Sequence, residues 1–304
     1  MTFKINNSTH TYNCVVNAFK IAGFRLCEGG SWNCLWTGLI RPSKLKYMHQ
    51  YQKINHFAGA WNIGHKGNLW RNVQRQRRRH GREFEICPPT YLFPEDYKRW
   101  NTDRESSNFR DMYIMKPTGS SCGRGIRVIG KKQTVGKRQG YLVQKYLSKP
   151  HLLRGYKYDM RIYIVVTSFE PLKAYQFAQG LVRLATQPYS TAKGSLKKRF
   201  IHLTNFSINK KAENYKKNDA GVQAQGENGQ QPPPVGAESS STAQDTEEAE
   251  MSSKWSLEQL RQEYEKMGIS YDSVFKNVKN LCIKTLMAVE PQITTSMRTA
   301  KHRN

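Results

Sequence analysis

Two long runs of β-branched and aromatic residues, separated by a short turn, constrain the fold of this chain more than any other feature. The run MRIYIVVTSF (160–169) is followed by the turn residues of FEPL and then by KAYQFAQGLVRLA (173–185). Residues of these types favour strands, and a proline between two such runs favours a tight turn. Together with the shorter runs MYIM, GIRVIG and YLVQKYL upstream, this pattern predicts a mainly antiparallel sheet.

Composition divides the chain into four parts. Residues 1–70 mix apolar and aromatic residues with glycine and predict a small folded N-terminal region. Residues 71–212 contain a basic helical segment followed by the strand runs. Residues 213–253 are rich in Gln, Pro, Ser and Glu. We predict that they form a disordered insertion, because such a segment buries too little apolar surface to offset its ordering entropy. Residues 254–304 form a C-terminal helical part.

Two helices are predicted in this C-terminal part. In SLEQLRQEYEKMG, Ser256 and Gln259 have the spacing of a capping box, and Gly268 follows as a stop signal. In YDSVFKNVKNLCIKTLMAVEP, apolar residues recur at helical spacing, with Leu281 on the predicted buried face. We expect Pro291 to end this second helix, because proline has no backbone N–H to continue the hydrogen-bond ladder.

The strongest global signal is a net charge of +26, from 49 Lys and Arg against 23 Asp and Glu. A field of this sign attracts polyanions such as nucleic acid, nucleotides, anionic lipid and acidic protein tails. The arginine-rich segment RNVQRQRRRHGREF (71–84) has helical spacing, and either a solvated basic helix or a polyanion contact explains it. No apolar run reaches membrane-spanning length, and no secretory signal is visible. The six cysteines form no C-x-x-C pair, which argues against a zinc ribbon.

The stretch MYIMKPTGSSCGRGIRVIG (112–130) contains the first candidate site. Lys116 stands at the end of a predicted strand, and the glycines of the loop 118–125 allow backbone N–H groups to converge on an anion. Arg124 would add a bidentate phosphate contact. The loop lacks the ending of a Walker A motif, and taken alone such a stretch is more often a plain hairpin with a glycine-rich turn.

Three more segments place polar residues in or after apolar strands. In KYDMRIY, the residues Lys157, Asp159 and Arg161 alternate, so a strand would place all three on one face. This row is either an exposed ion network or a site with two cations for phosphate and one acid for an amine or a metal. Arg183 interrupts the apolar run LVRLA and either reaches solvent or clamps a carboxylate. HLTNFSINK offers small polar donors and acceptors after a short apolar stretch.

The order of these segments resembles that of the tubulin tyrosine ligase-like family of ATP-grasp ligases. The similarity rests on IMKP…GRGI, LVQKYL, KYDMRIYIVVTS, GLVRLA and HLTNFSINK, while NHFAGAWNIGHKGNLWRNV resembles the segment before that core in the glutamylase branch. The resemblance implies an α+β ATP-grasp ligase fold. This fold has a mainly antiparallel sheet with flanking helices, preceded by a smaller N-terminal region. It also favours the phosphate-binding interpretation of the glycine loop.

The resemblance also implies an activity, with ATP and Mg²⁺ as cofactors. In this family, ATP activates the γ-carboxylate of a protein glutamate as an acyl phosphate, and the amine of free L-glutamate attacks to form an isopeptide bond. The implied partners are the acidic C-terminal tails of α/β-tubulin, or microtubules. The implied location is the cytoplasm and cytoskeleton, with the cilium or basal body as a further site. Neither nucleic acid nor a membrane is expected as a partner.

The roles of individual residues are carried over from matching positions in the family. Catalytic roles fall to Lys116, which would bind the nucleotide phosphates, and to Arg161, which would support the transferred phosphoryl group. The implied ATP-binding residues are Lys116, Cys122, Gly123, Arg124, Gly125, Gln144, Lys145, Tyr146, Leu147, Lys157, Tyr158, Asp159, Thr204 and Asn205. The implied glutamate-binding residues are Arg183, Phe206, Ser207 and Lys254. Phe206 departs from the tyrosine that the family commonly has after Thr-Asn.

The metal site is the largest departure from the family pattern. The family uses an acidic strand residue together with the Glu and Asn of an LEVN-type motif, and this chain has no counterpart. No metal ligand is therefore assigned, and we expect these ligands, with the final core strands, beyond the chain end. This predicts little or no activity for the 304-residue chain alone. The alternatives are a fragment that binds tubulin or nucleotide without catalysis and a basic nucleic-acid-binding protein.

Overall fold

A computed structural model describes residues 1–6, 13–216 and 252–300. The strands are β1 (Thr2–Ile5), β2 (Arg25–Leu26), β3 (Cys34–Trp36), β4 (Lys53–Ile54), β5 (Thr90–Phe93), β6 (Tyr113–Pro117), β7 (Arg127–Ile129), β8 (Tyr141–Lys145), β9 (Leu152–Leu153), β10 (Tyr156–Phe169), β11 (Leu172–Leu184) and β12 (Lys254–Ser256). The helices are α1 (Asn13–Ile21), α2 (Pro42–Leu45), α3 (Trp61–Gly64), α4 (Lys66–His80), α5 (Tyr97–Ser106), α6 (Arg199–His202), α7 (Phe206–Asn209), α8 (Leu257–Lys266) and α9 (Tyr271–Ala300). This mixture of helices and sheets confirms the α+β class.

The chain folds into two compact units, each assembled from separate stretches. Unit 1 comprises Met1–Thr90, Ile164–Tyr175 and Lys276–Asn304, and unit 2 comprises Tyr91–Tyr163 and Gln176–Phe275. Among the described residues, the helices are too short or too polar to cross a membrane.

Unit 1 contains a small sheet with the strand order β2-β1-β3-β4. Its pairings are parallel, with Phe3 opposite Leu26 on one side and Cys34 on the other. Phe3 is fully buried and stacks on Phe19 of α1 at 4.6 Å between ring centroids. The prediction of antiparallel pairing concerned the strands from Met112 onward. It does not extend to this N-terminal sheet, whose strands of two to four residues are too short to show a periodic pattern.

The second core of unit 1 forms around α9. Leu286, Val289 and Ile293 are buried and pack with Phe169 at the end of β10. The helix continues through Pro291, so the prediction that this residue ends it is wrong. Burial of Ile293 on the same face keeps the chain helical beyond the missing N–H. Leu281, expected on the buried face, is 44% exposed.

The basic segment forms α4 in unit 1, as its spacing predicted. Trp70, Val73 and Gln76 are buried on one side of the helix. The arginines expected to share a face are exposed, namely Arg71, Arg75, Arg78, Arg79 and, just beyond the helix, Arg82. The exposed arginines are compatible with both interpretations of this segment.

Unit 2 contains a four-stranded sheet with the order β5-β8-β6-β7. β6 pairs antiparallel with both β7 and β8, as the strand pattern predicted. The core on one face includes Tyr113 and Met115 of β6, Val143 of β8 and Trp100 of α5, all buried almost completely. β6 is therefore fixed on both sides, and its last residues are held in a defined position.

A second sheet has the order β12-β11-β10-β9, and its long β10–β11 hairpin turns at residues 170–171 as expected. Met160 and Ile162 pack on the same core as Val182, Leu184 and Leu260. The even-numbered residues of β10 therefore face the core, which leaves the odd-numbered residues for the opposite face.

The capping box that begins α8 is confirmed. The Ser256 hydroxyl accepts from the Gln259 backbone N–H at 3.1 Å, and the Gln259 side chain accepts from the Ser256 N–H at 2.8 Å. The predicted disordered insertion (213–253) falls mostly on residues 217–251, which lie outside the described residues. Its flanks meet, since the Ser253 N–H donates to the Lys216 carbonyl at 3.1 Å.

Candidate functional site

The site begins with Lys116 at the end of β6. Its ammonium donates to the Gln144 Oε1 on the neighbouring strand β8 at 2.9 Å. Antiparallel pairing places Lys116 opposite Leu142, two residues from Gln144 on the same face of β8. The buried neighbours Ile114 and Met115 anchor the strand, so the backbone from which the Lys116 side chain extends is held in place.

Lys157 at the start of β10 forms the centre of a hydrogen-bond chain. Its Nζ donates to the Tyr146 hydroxyl at 3.0 Å and to the His202 carbonyl at 3.1 Å. The Tyr146 hydroxyl lies 2.9 Å from the His202 Nδ1, and the His202 Nε2 lies 3.1 Å from the Ser195 carbonyl. A carbonyl only accepts, so Nε2 carries a proton. Burial lowers the pKa of the imidazole, which favours the neutral form, in which Nδ1 accepts from the Tyr146 hydroxyl.

The electrostatics of Lys157 differ from those of a surface lysine. Burial and the nearby positive charge of Lys116 lower its pKa to about 8, although Asp159 acts in the opposite direction. Two ammonium groups thus lie close enough to repel each other. Their proximity favours an anion that contacts both.

Asp159 and Arg183 form an ion pair between β10 and β11. The Arg183 Nε donates to the Asp159 Oδ1 at 2.8 Å, and its Nη2 donates to Oδ2. This hydrogen bonding raises the pKa of the Arg183 guanidinium. On the next strand, Lys254 is in register with Arg183, and its ammonium lies 3.8 Å from the centre of the Phe206 ring. Three of the predicted glutamate-binding residues are thus neighbours, with Asp159 already bound to the guanidinium.

The glycine loop connects β6 to β7, which are adjacent antiparallel strands, so it is a hairpin connection. Cys122, Gly123 and Gly125 have positive φ angles of 58°, 72° and 70°. A Cβ on Gly123 would lie 2.4 Å from the Ile208 Cδ1. Only glycine fits there, because the loop passes so close to α7.

Side chains from the α6–α7 segment hold this loop. The Ser207 hydroxyl donates to the Cys122 carbonyl at 2.9 Å, and the Arg199 Nη2 donates to the Gly123 carbonyl at 3.0 Å. Arg124 is exposed beside them. Ser207, predicted to bind glutamate, thus contacts the predicted phosphate loop instead of Arg183 or Lys254.

Asn209 and His202 are structural residues of the site that the sequence patterns did not single out. The buried Asn209 accepts from the Thr186 N–H and hydroxyl at 3.1 and 2.9 Å. It also donates to the carbonyls of Leu203 at 2.6 Å and Asn205 at 3.1 Å. These bonds determine the path of the Thr204–Asn205 pair. Both residues lie within HLTNFSIN, so their closeness in sequence to Thr204 and Asn205 could have marked them as candidates.

The remaining predicted residues take varied positions. Arg161 is exposed on the odd-numbered face of β10, two residues beyond Asp159. The Tyr158 phenol points to the opposite face and lies 2.5 Å from the Tyr264 hydroxyl, so only its backbone remains near the lysine cluster. Lys145 pairs with Asp111 at 2.8 Å. Leu147 is 64% exposed, and Thr204 is half-buried between α6 and α7.

Taken together, the structure places the neighbouring ammonium groups of Lys116 and Lys157, the Gly123 loop and the register pair Arg183–Lys254 on an α+β fold. Cationic and backbone donors of this kind suit the phosphate and carboxylate groups that an acid-activating, nucleotide-dependent ligase binds. The family model described as Tubulin-tyrosine ligase family matches residues 44–230, and the chain belongs to this family.

Curated relatives extend this similarity over most of the chain. Tubulin monoglutamylase TTLL4 of Homo sapiens is 34% identical over 293 residues, which is 96% of this chain and 22% of that protein. Tubulin polyglutamylase TTLL5 of Mus musculus is 30% identical over 270 residues, 88% of this chain and 18% of that protein. Tubulin polyglutamylase ttll-4 of Caenorhabditis elegans is 31% identical over 262 residues, 86% of this chain and 38% of that protein. The chain thus spans about a fifth of the length of the first two relatives.

The donor set fits the nucleotide and the metal differently. Lys116, Lys157 and the loop at Gly123 present the cationic and backbone donors that phosphate oxygens accept. For Mg²⁺, which binds through carboxylate oxygens, the described residues contain no group of three His, Cys, Asp or Glu side chains able to hold an ion. The charge of the Asp159 carboxylate acts on Lys157, and this carboxylate is bound to Arg183.

Proposed function

We propose that this chain provides the ATP- and glutamate-binding site of a ligase that attaches glutamate to the acidic C-terminal tails of α/β-tubulin. The family membership and the names of the relatives support the reaction class. The observation that carries the proposal is the position of the Lys157 ammonium and its hydrogen bonds. Its ammonium has three donors, of which two engage neutral oxygens of Tyr146 and His202. A half-buried cation with this arrangement beside Lys116 suits a phosphate chain.

The reaction proceeds in two steps. A γ-carboxylate oxygen of the acceptor glutamate attacks the terminal phosphorus of ATP, which breaks the bond to ADP and forms an acyl phosphate. The amine nitrogen of free glutamate then attacks the acyl carbon, phosphate leaves, and the nitrogen loses a proton as the isopeptide bond forms. ATP supplies the activation, and the chain supplies orientation and charge.

Named residues have separate roles in these steps. Lys116 and Lys157 hold the phosphates, and the loop at Gly123 covers them. Arg161 supports the transferred phosphoryl group from the exposed, odd-numbered face of β10. Arg183 and Lys254 bind the carboxylates of free glutamate. A carboxylate of glutamate must therefore replace the Asp159 carboxylate at the Arg183 guanidinium.

The proposal includes Mg²⁺ as the partner of ATP, and the cytoplasmic microtubule cytoskeleton, including cilia and basal bodies, as the place of action. The position of the metal is not assigned to residues of this chain.

The test combines a binding measurement with a transfer measurement. ATP and glutamate binding to the 304-residue chain are measured by calorimetry, for the wild type, Lys157→Met and the surface control Lys173→Met. Transfer of labelled glutamate to microtubules is measured in parallel. We expect ATP binding that Lys157→Met reduces at least about tenfold, in line with the loss of one charged hydrogen-bond partner. A folded chain that binds neither ATP nor glutamate would refute the proposal. Little or no transfer is the result expected of the chain alone, whereas ATP binding without glutamate binding would indicate a nucleotide-binding protein that does not accept glutamate.

A further inference from the structure

A cleft of about 660 Å³ lies on unit 2 beside the glycine loop. Its volume falls in the range of ligand sites, roughly 300–1,000 Å³. Cys122 and Arg124 of the loop form one wall, and Ser207 and Ile208 of α7 form another. The cleft is distinct from the lysine cluster at Lys116 and Lys157, neither of which lines it.

The charge in this cleft has one sign. Its cationic lining residues are Arg124, Lys197, Lys198, Arg199 and Lys211. Among the described lining residues none is acidic, and the sequence from 171 to 212 contains no Asp or Glu at all. Side chains of one sign in a concave surface focus the potential and attract a ligand of opposite sign.

The arrangement favours an extended ligand with several negative charges. The cations come from three separate stretches of chain, the glycine loop, the segment 197–199 and Lys211, and they line a cavity of about 660 Å³, which is much larger than a single small anion. The apolar side chains of Phe200 and Ile208 line the same cleft. Carboxylates on short methylene stems match this combination, because the stems pack on apolar surface while the charged ends reach the cations.

We propose that this cleft binds the acidic residues that flank the acceptor glutamate in the polypeptide substrate. The inference rests on the proposed function, and it adds a binding surface for the acidic chain. The cleft and the site share the glycine loop, since Cys122 and Arg124 line the cleft while the Gly123 backbone faces Asn205. A polypeptide held in the cleft therefore has its next residues at the predicted phosphate loop.

Nucleic acid is the competing class of polyanion, and the cleft suits it less well. Single-stranded nucleic acid binds through aromatic side chains that stack on bases. The aromatic residue in the lining, Phe200, is half-buried and packs against the core that includes Leu203 and Ile208. The acidic polypeptide is thus the occupant favoured by the lining.

The test measures binding of a fluorescent peptide of consecutive glutamates to the full 304-residue chain by anisotropy. The variant Lys197→Glu/Lys211→Glu reverses two exposed charges in the cleft, and Lys131→Glu/Lys132→Glu makes the same change in net charge at exposed residues outside it. We expect the cleft variant to weaken peptide binding at least about tenfold and the control by less than about threefold. ATP binding, unchanged in both, confirms that the fold is intact.

Three outcomes would overturn the proposal: equal losses in the two variants, no effect of the cleft variant, or tighter cleft-dependent binding of single-stranded RNA than of the peptide at moderate salt. Failure of the cleft is distinguishable from failure of the proposed function. ATP and glutamate binding together with peptide binding that is unchanged in the cleft variant would overturn the cleft alone. Cleft-dependent peptide binding with no ATP or glutamate binding would overturn the ligase and leave the cleft standing.

Discussion

Replacing Asn209 by alanine removes four hydrogen bonds from the interior of unit 2. Asn209 is 1% exposed, and its partners Thr186 and Leu203 are also buried. The change leaves the Thr186 N–H, the Thr186 hydroxyl and the Leu203 carbonyl without this partner. The Asn205 carbonyl keeps the backbone N–H donors of Ile208 and Asn209. An unsatisfied buried polar group costs about 1–3 kcal/mol. Three such groups, with some relaxation, predict a loss of about 3–5 kcal/mol in the free energy of unfolding.

The assay is urea unfolding followed by tryptophan fluorescence, with Asn101→Ala as the matched control. The Asn101 amide donates to Glu105 on the surface of α5, and its loss should cost less than about 0.5 kcal/mol. Because Asn209 positions the Thr204–Asn205 pair, ATP binding should fall in parallel with stability. A loss below about 1 kcal/mol, or a stability loss with unchanged ATP binding, would refute the assignment of Asn209 as the residue that organises this segment.

Three further predictions follow from the site and its surroundings. ATP binding should weaken as pH rises through about 8, because Lys157 then loses its proton; calorimetry across this range should show the decline, and Lys157→Arg should flatten it. Gly123→Ala should destabilise the chain by at least about 1–3 kcal/mol, given its φ of 72° and the contact with Ile208; Gly136→Ala, with open space around it, is the control in thermal unfolding. Replacing 217–251 by a short Gly-Ser linker should leave Tm and ATP binding unchanged, because the flanks are already joined; a clear fall in either would contradict this.

The pH prediction has a stability counterpart with a defined sign. In the folded chain the pKa of Lys157 lies at about 8, below its ordinary value of 10.5. Between these two values the unfolded chain binds more protons than the folded chain. The contribution of Lys157 to stability therefore increases as pH rises through this window. Below about pH 8 Lys157 is protonated in both the folded and the unfolded chain, so its contribution to the free energy of unfolding no longer changes with pH.

Local patterns predicted the features that depend on the alternation of residues along a strand or on the capping residues of a helix. The β10–β11 hairpin, the row of Lys157 and Asp159 on one face, and the Ser256 capping box are properties of neighbouring residues. Patterns failed where distant parts of the chain decide. Pro291 continues a helix because of packing around Ile293, and the parallel pairing of β1 depends on partners more than twenty residues away.

By itself, the sequence determined the α+β class, the family and the types of residue in the site, because these depend on composition, alternation and motif order. The tertiary structure decided which of those residues meet. It paired Arg183 with Asp159, brought Ser207 to the glycine loop, and surrounded Lys157 with Tyr146 and His202. It also gathered cations from three stretches of chain into one cleft. Side-chain distances, burial and the pKa of Lys157 depend on contacts between residues far apart in the chain, which no local pattern records.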